Sequence, residues 1–298
     1  MTPDFFPIHA DFGTVLQEFH IGLTSIAVPG SVRGMFEVHR DLCTLPMSRL
    51  MAPAIKAARD GVHFSHLQSK IFNIVSPIYS ATPEAKKTYS SPTVTGELVG
   101  EGDLLKQPEL ADTLEGLAVE GAQLFYEGEI ASKIVELCRN GGYLTAEDLK
   151  NYQVIRRKPL QVHYRDAVLL TNPPPASGGI LIGLALKLLE QQDLSLMEMG
   201  CHDHLDLLVK VMTETNQARM DRLSAEDGDL TENLLEGMYL SRYKEQVAKH
   251  ARCFRGTTHM SVMDSEGNSA AMTVSNGEGC GYMVPGCGVM LNNMLGEE

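Results

Sequence analysis

Basic residues are scarce in this chain. Lysine and arginine number 25 against 38 aspartates and glutamates, leaving a formal net charge of −13 and a pI near 5.2. A surface so short of positive charge disfavours nucleic acid and anionic membrane as partners, because both are held by clustered cations. No apolar run reaches the roughly 20 residues that span a bilayer. Met1-Thr2-Pro3-Asp4-Phe5-Phe6 also lacks the basic start and apolar core of an export signal. The chain as it stands reads as cytosolic. Cysteines 43, 138, 201, 253, 280 and 287 include no CxxC pair, so neither a zinc knuckle nor a disulfide framework is indicated, and reduced structural thiols are expected. The run Pro173 to Gly179 lacks the lysine and spacing of a phosphate loop and reads as a crossing between layers. His202 and His204 stand two apart on a helix and do not share a face, so no metal site is expected there. No cofactor is called for.

What is present is enough for a large core. At 298 residues and 43% hydrophobic content, the chain suits one large domain or two modest ones. Ile26-Ala27-Val28 reads as a short strand stopped by Pro29-Gly30. Helices are expected from a Ser31 cap to about Cys43, and from Met47 to Ala58, with Pro53 kinking the second or marking its first turn. Ser76 to Gly102, rich in Ser, Thr, Pro and Gly, reads as an extended surface loop. Helical spacing returns in 107–119 and 130–137, and Thr145 opens a further helix as a capping-box threonine. A hairpin is expected around Tyr164-Arg165-Asp166, then an apolar helix from Ile180 to Leu189. A long helix follows from His202 to Arg222, with Leu205, Leu208, Val209 and Met212 inward. Beyond it lie an acidic loop, Asp227 to Glu232, and a helix ending near His250.

The stretch from Gly256 to Glu298 carries the chemistry. Thr257, His259 and Ser261 alternate with Met260 and Val262, which predicts a half-buried strand with a threonine opening its polar face. Asp264 and Asn268 flank Ser265-Glu266-Gly267, a hairpin loop with glycine in the left-handed position. Pairing Asp264 with Asn268 places Ser275 opposite Thr257, since a one-residue slip would turn every side chain over. A threonine freed as an amino terminus has a nucleophilic hydroxyl and its own general base, the amine of pKa roughly 8. Gly256 permits the backbone strain that attack by Thr257 on the preceding carbonyl needs. On periodicity alone, a plain structural threonine is the stronger reading, since threonine is common in strands.

The stretch Gly256-Thr257-Thr258-His259-Met260-Ser261-Val262-Met263-Asp264, with Glu266-Gly267-Asn268 and Leu291-Asn292-Asn293, resembles the processing site of the gamma-glutamyltranspeptidases. Val28-Pro29-Gly30-Ser31-Val32 with Gly34, Ala52 to Gly61, Phe125-Tyr126 with Gly128, Asn140-Gly141-Gly142 and Pro173 to Gly179 resemble large-subunit motifs in the right order. The resemblance implies an α+β fold, the N-terminal-nucleophile αββα sandwich. Residues 1–256 would form the helix-rich large-subunit part, and 257–298 the first strands of the small subunit. It implies a precursor that cuts itself between Gly256 and Thr257. Thr257 would then take a gamma-glutamyl group from glutathione or a related amide as an ester, and pass it to water or an amine. Ser275 falls where a family threonine orients the nucleophile, Asn276 where an asparagine lies near substrate, and Glu297 where an aspartate binds the substrate amino group. The partners implied are a small amide substrate and the two subunits of one precursor. Two features depart from the family: the link from Ser275 to Gly279 is two residues short, and Met294 stands where a polar Gln or Glu is expected. The latter points to an amidohydrolase or acylase acting on another amide. An unprocessed binding or structural relative, or an inactive truncated chain, are the other readings. On the family pattern, the oxyanion-hole residues would lie beyond residue 298 and the carboxylate-binding arginine before residue 1, so both ends are expected to be incomplete.

Overall fold

The computed structural model describes residues 4–13, 16–190, 192–223 and 257–296. Contacts divide the chain into two compact units, Met1–Val154 with Arg255–Glu298, and Ile155–Phe254. This is a division by packing, distinct from the boundary expected at the Gly256–Thr257 bond.

The first unit opens on an antiparallel hairpin that the sequence reading missed, β1 (Phe6–Asp11) and β2 (Leu16–Ile21). Phe19 and Ile21 alternate inward with His20 between them and pack with Ala10, Val75 and Ile78. Residues 26–30 are irregular, not the expected strand. Ala27 N donates to Asn292 Oδ1 at 3.0 Å, and Asn292 Nδ2 donates to the Ala27 carbonyl at 2.9 Å, so one side chain takes the place of a ladder partner. In α1 (Ser31–Leu42) the cap is Gly30, and Ser31 is the first helical residue. In α2 (Met47–Asp60) Pro53 lies inside the helix. A short pair, β3 (Val62–His63) with β4 (Leu104–Leu105), encloses α3 (His66–Ile74), α4 (Ser76–Tyr79) and α5 (Pro83–Thr88). The expected loop from Ser76 to Gly102 is therefore partly helical. Pro77 and Pro83 sit in first turns, where a missing N–H leaves no bond unmade. Thr82 caps Ala85 N at 3.2 Å, and Ile78, Ala85 and Val99 are buried.

The helical layer expected next is α6 (Pro108–Glu120), α7 (Gln123–Tyr126), α8 (Glu129–Cys138) and α9 (Ala146–Asn151). Thr145 makes the capping box: its Oγ1 accepts from Asp148 N at 3.2 Å while Asp148 Oδ2 accepts from Thr145 N at 2.9 Å.

In the second unit, β5 (Leu160–Tyr164) and β6 (Ala167–Thr171) pair across Arg165-Asp166, and α10 (Ser177–Leu189) and α11 (His202–Leu223) follow. Leu160, Val162, Ile180, Leu184 and Ala218 form the core of this unit. The inward face of α11 is not the expected one. Val211 and Ala218 are buried, whereas Leu205, Val209 and Met212 are more than half exposed. This stretch of helix carries two apolar stripes, Leu205, Leu208, Val209 and Met212 on one and Leu207, Val211 and Ala218 on the other, so the sequence does not set its rotation. Packing against α10 does.

That same face buries a carboxyl. Glu214 is 6% exposed and, among the described residues, neither of its oxygens has a hydrogen-bond partner. Burial raises its pKa above the ordinary glutamate value. The folded state therefore keeps a proton that the unfolded chain has lost, and stability falls as pH rises from the ordinary carboxyl range through the raised value. Glu214→Met is expected to increase stability at neutral pH by about 1–3 kcal/mol, the cost of an unpartnered buried polar group. Glu214→Gln should flatten the pH dependence. Urea unfolding at pH 5 and pH 8 checks both, and equal slopes in wild type and variant would refute the assignment.

The chain returns to the first unit with β7 (Thr258–Met263) and β8 (Ser269–Val274), then β9 (Met283–Val284) and β10 (Val289–Met290). Cys280, Val284, Cys287 and Leu291 pack against Leu117, Phe125, Tyr126, Ile134 and Leu149 from the helical layer. Each large side chain so buried contributes about 1.5–3 kcal/mol, which makes residues 277–293 a firm anchor. Among the described residues the strands form five separate two-stranded pairs, a mixed helix and strand architecture. Among them, too, no helix is long and apolar enough to cross a membrane. The acidic loop at 227–232, the helix expected to end near His250, and Cys253 lie outside the described residues.

Candidate functional site

The turn between β7 and β8 is built by one aspartate. Asp264 N donates to the Asn268 carbonyl at 3.0 Å, Asp264 Oδ1 accepts from Glu266 N at 3.0 Å and Asn268 N at 2.8 Å, and Oδ2 accepts from Asn268 Nδ2 at 2.9 Å. These bonds, that from the Asn268 side chain foremost, hold the Asp264 carboxyl below the usual carboxylate range. Gly267 closes the loop at φ +85°, a left-handed conformation that glycine adopts without strain. The turn sets the ladder from Met263 opposite Ser269 to Thr258 opposite Val274. The described ladder ends there, one step short of the expected pair of Thr257 with Ser275.

The polar face of the hairpin forms a row. His259 Nδ1 lies 2.7 Å from Thr273 Oγ1 across the ladder, and its Nε2 lies 2.9 Å from Ser261 Oγ on its own strand. The alternation put His259 on the face of Thr257 without showing that it links the two strands. The strand is not half-buried, however: every residue of β7 is exposed, because β7 pairs with β8 alone and no second layer covers either face among the described residues.

Thr257 and Ser275 are both exposed, and Ser275 Oγ accepts from Gly277 N at 3.1 Å. Asn276 bridges to Glu278, and its carbonyl accepts from Asn293 N at 3.2 Å. Burial then rises sharply, with Gly277, Gly279 and Cys280 all enclosed. Thr257, Ser275 and Asn276 thus sit at the seam between an exposed hairpin and a buried anchor. Met294 is 42% exposed on a single 3-10 turn, Met294–Gly296, and its N–H donates to Asn292 Oδ1 at 3.1 Å. Gly256 and Glu297 lie outside the described residues.

The nearby thiols do not compete as nucleophiles. Burial pushes Cys280 up to about 12 and also raises Cys287, which keeps both protonated and unreactive. His202 and His204 serve separate contacts, the first with Asp203 and the second accepting from Gly200 N at 3.0 Å. Among the described residues no group of three His, Cys, Asp or Glu is placed to hold a metal.

Comparison with known proteins matches residues 1–298 to the family model described as Gamma-glutamyltranspeptidase. The chain is similar to the glutathione hydrolase proenzyme of Pseudomonas aeruginosa, 29% identical over 96% of this chain and 54% of that protein. It is equally similar to scoloptoxin SSD14 of Scolopendra dehaani, 29% identical over 93% of this chain and 52% of that one. The chain spans about half the length of the curated relatives it matches. Among solved structures it resembles the gamma-glutamyltranspeptidase of Helicobacter pylori, with a TM-score of 0.65 and 26% identity over 82% of this chain and 78% of that one. It shares a fold with the cephalosporin acylase of Bacillus halodurans, with a TM-score of 0.74 and 24% identity over 92% of this chain and 52% of the other.

Proposed function

The chain belongs to the gamma-glutamyltranspeptidase family, and we propose that it works as a self-processing gamma-glutamyltransferase or glutathione hydrolase with Thr257 as nucleophile. The observation that supports this reading is the hairpin register: its last described pair is Thr258 with Val274, and continuing it by one step would bring Ser275 to Thr257. In processing, the Thr257 hydroxyl attacks the Gly256 carbonyl and the acyl group shifts from nitrogen to oxygen. Water then cleaves the resulting ester. This leaves Thr257 as a new amino terminus, with residues 1–256 and the stretch from 257 onward as two subunits. In catalysis the free amine takes the hydroxyl proton as the oxygen attacks the gamma-glutamyl amide. The departing amine carries that proton away, and the ester on Thr257 passes to water or to an acceptor amine. Ser275 orients the nucleophile with its hydroxyl hydrogen, and Asn276 and Glu297 contact substrate. A denaturing gel of the purified protein tests this. Two fragments are expected, the smaller beginning Thr-Thr-His-Met, and a folded chain that stays whole would refute self-processing.

A second reading is favoured by Met294. An exposed thioether is a poor hydrogen-bond acceptor, so a glutamyl amine has less to hold it there and a different acyl group fits as well. Chromophore release from gamma-glutamyl and from dicarboxylic monoacyl anilides separates the two: faster release from the latter would make the protein an amidohydrolase of the same fold.

A further inference from the structure

Asn293 is completely buried and spends its whole side chain on backbone groups. Its Oδ1 accepts from Glu278 N at 2.9 Å and from Gly279 N at 3.1 Å, and its Nδ2 donates to the His20 carbonyl at 3.2 Å. Its own N–H donates to the Asn276 carbonyl at 3.2 Å. Three of these four bonds close on residues 276–279, the turn that leads out of β8 immediately after Ser275. The fourth ties that turn to β2. Asn292, its neighbour, holds different ground: it grips Ala27 from both sides and caps Met294, without touching the turn.

We propose that Asn293 is a positioning residue for acyl transfer, fixing the turn that carries Ser275 and Asn276 so that the Ser275 hydroxyl meets Thr257. The inference rests on the reading of Thr257 as nucleophile. An exposed two-stranded hairpin has no packing of its own to hold its far end, and every residue of β7 is exposed. Its alignment at the Thr257 end therefore depends on how Ser275 and Asn276 enter the buried anchor. A displacement of about 1 Å at reacting groups costs on the order of 100-fold in rate.

The test compares three variants of the purified full-length protein, following self-cleavage over time and then kcat and KM for a gamma-glutamyl anilide. Asn293→Leu keeps the volume and removes the acceptor. It is expected to slow cleavage and lower kcat by about 30- to 100-fold, with KM changed less than about threefold. Asn293→Asp keeps an acceptor for the two turn N–H groups but sets its second oxygen, which cannot donate, against the His20 carbonyl, so the tie to β2 is lost while the turn bonds stay. It is expected to stay within about fivefold of wild type, since a carboxylate accepts such bonds strongly. Asn292→Ala removes a comparable set of buried bonds away from the turn and is expected to leave the cleavage rate within about threefold. Equal losses in Asn292→Ala and Asn293→Leu, or wild-type rates in Asn293→Leu, would overturn the proposal. Should Asn293→Leu fail to fold, Asn293→Asp decides: a loss as large as about 30-fold in a folded Asp variant overturns it as well. A wild-type protein that never cleaves at Thr257 would instead sink the functional reading beneath.

Discussion

Thr257→Ala is expected to remain a single unbroken chain and to lose acyl transfer by at least about 10⁴-fold, the scale on which removing a covalent nucleophile acts. The loss is large because one hydroxyl serves twice, once against the Gly256 carbonyl and once against substrate. Thr257→Ser keeps that hydroxyl and is expected to cleave and turn over, more slowly, since only the methyl that restricts its rotamer is gone. In the processed wild type, the base is the new terminal amine, so the acylation rate should climb as that amine loses its proton around its ordinary pKa of about 8. The sign is fixed: only the neutral amine can accept the hydroxyl proton, so the rate rises with pH and levels off. Cleavage in Thr257→Ala at the same bond, or an acylation rate flat with pH across that range, would remove Thr257 from the mechanism.

Much of this hairpin was legible because its determinants are local. Asp264, Gly267 and Asn268 lie within five positions and specify a loop, and the loop specifies which residues face each other, from Met263 with Ser269 to Thr258 with Val274. The capping box at Thr145 was legible for the same reason. What failed was set at a distance. Nothing near Asn292 or Asn293 shows that their side chains bond to Ala27 and His20, 265 and 273 positions away. The strand expected at Ile26 to Val28 failed for that reason, since its partner is a side chain and not a ladder. The rotation of α11 was misread because Leu205, Leu208, Val209 and Met212 make one apolar stripe while Leu207, Val211 and Ala218 make another, and only the burial of Val211 and Ala218 reveals which is inward. Burial of β7 was overestimated because alternation reports that two faces differ, not that either is covered.

Ser275→Ala is expected to slow both self-cleavage and acyl transfer by about 100-fold while leaving thermal stability nearly unchanged. The two effects separate because the hydroxyl has two halves. Its oxygen accepts from Gly277 N at 3.1 Å, a partly buried contact whose loss removes one hydrogen bond from the start of the anchor. A neutral hydrogen bond of that kind contributes about 0.5–1.5 kcal/mol, too little to unfold the anchor, which is held by Cys280, Val284 and Leu291 in the core. Its hydrogen faces a different demand. Thr257 directly precedes β7, one position outside the described ladder, and on the proposed pairing an alanine at 275 offers it no hydroxyl hydrogen. Ser275→Thr restores the donor and is expected to recover most of the rate, as a β-branched hydroxyl suits a strand. A parallel fall of stability and rate in Ser275→Ala would assign Ser275 to the turn alone, and unchanged rates in a folded Ala variant would break its pairing with Thr257. A rate loss without a stability loss, reversed by threonine, is the pattern that only a positioning hydroxyl produces.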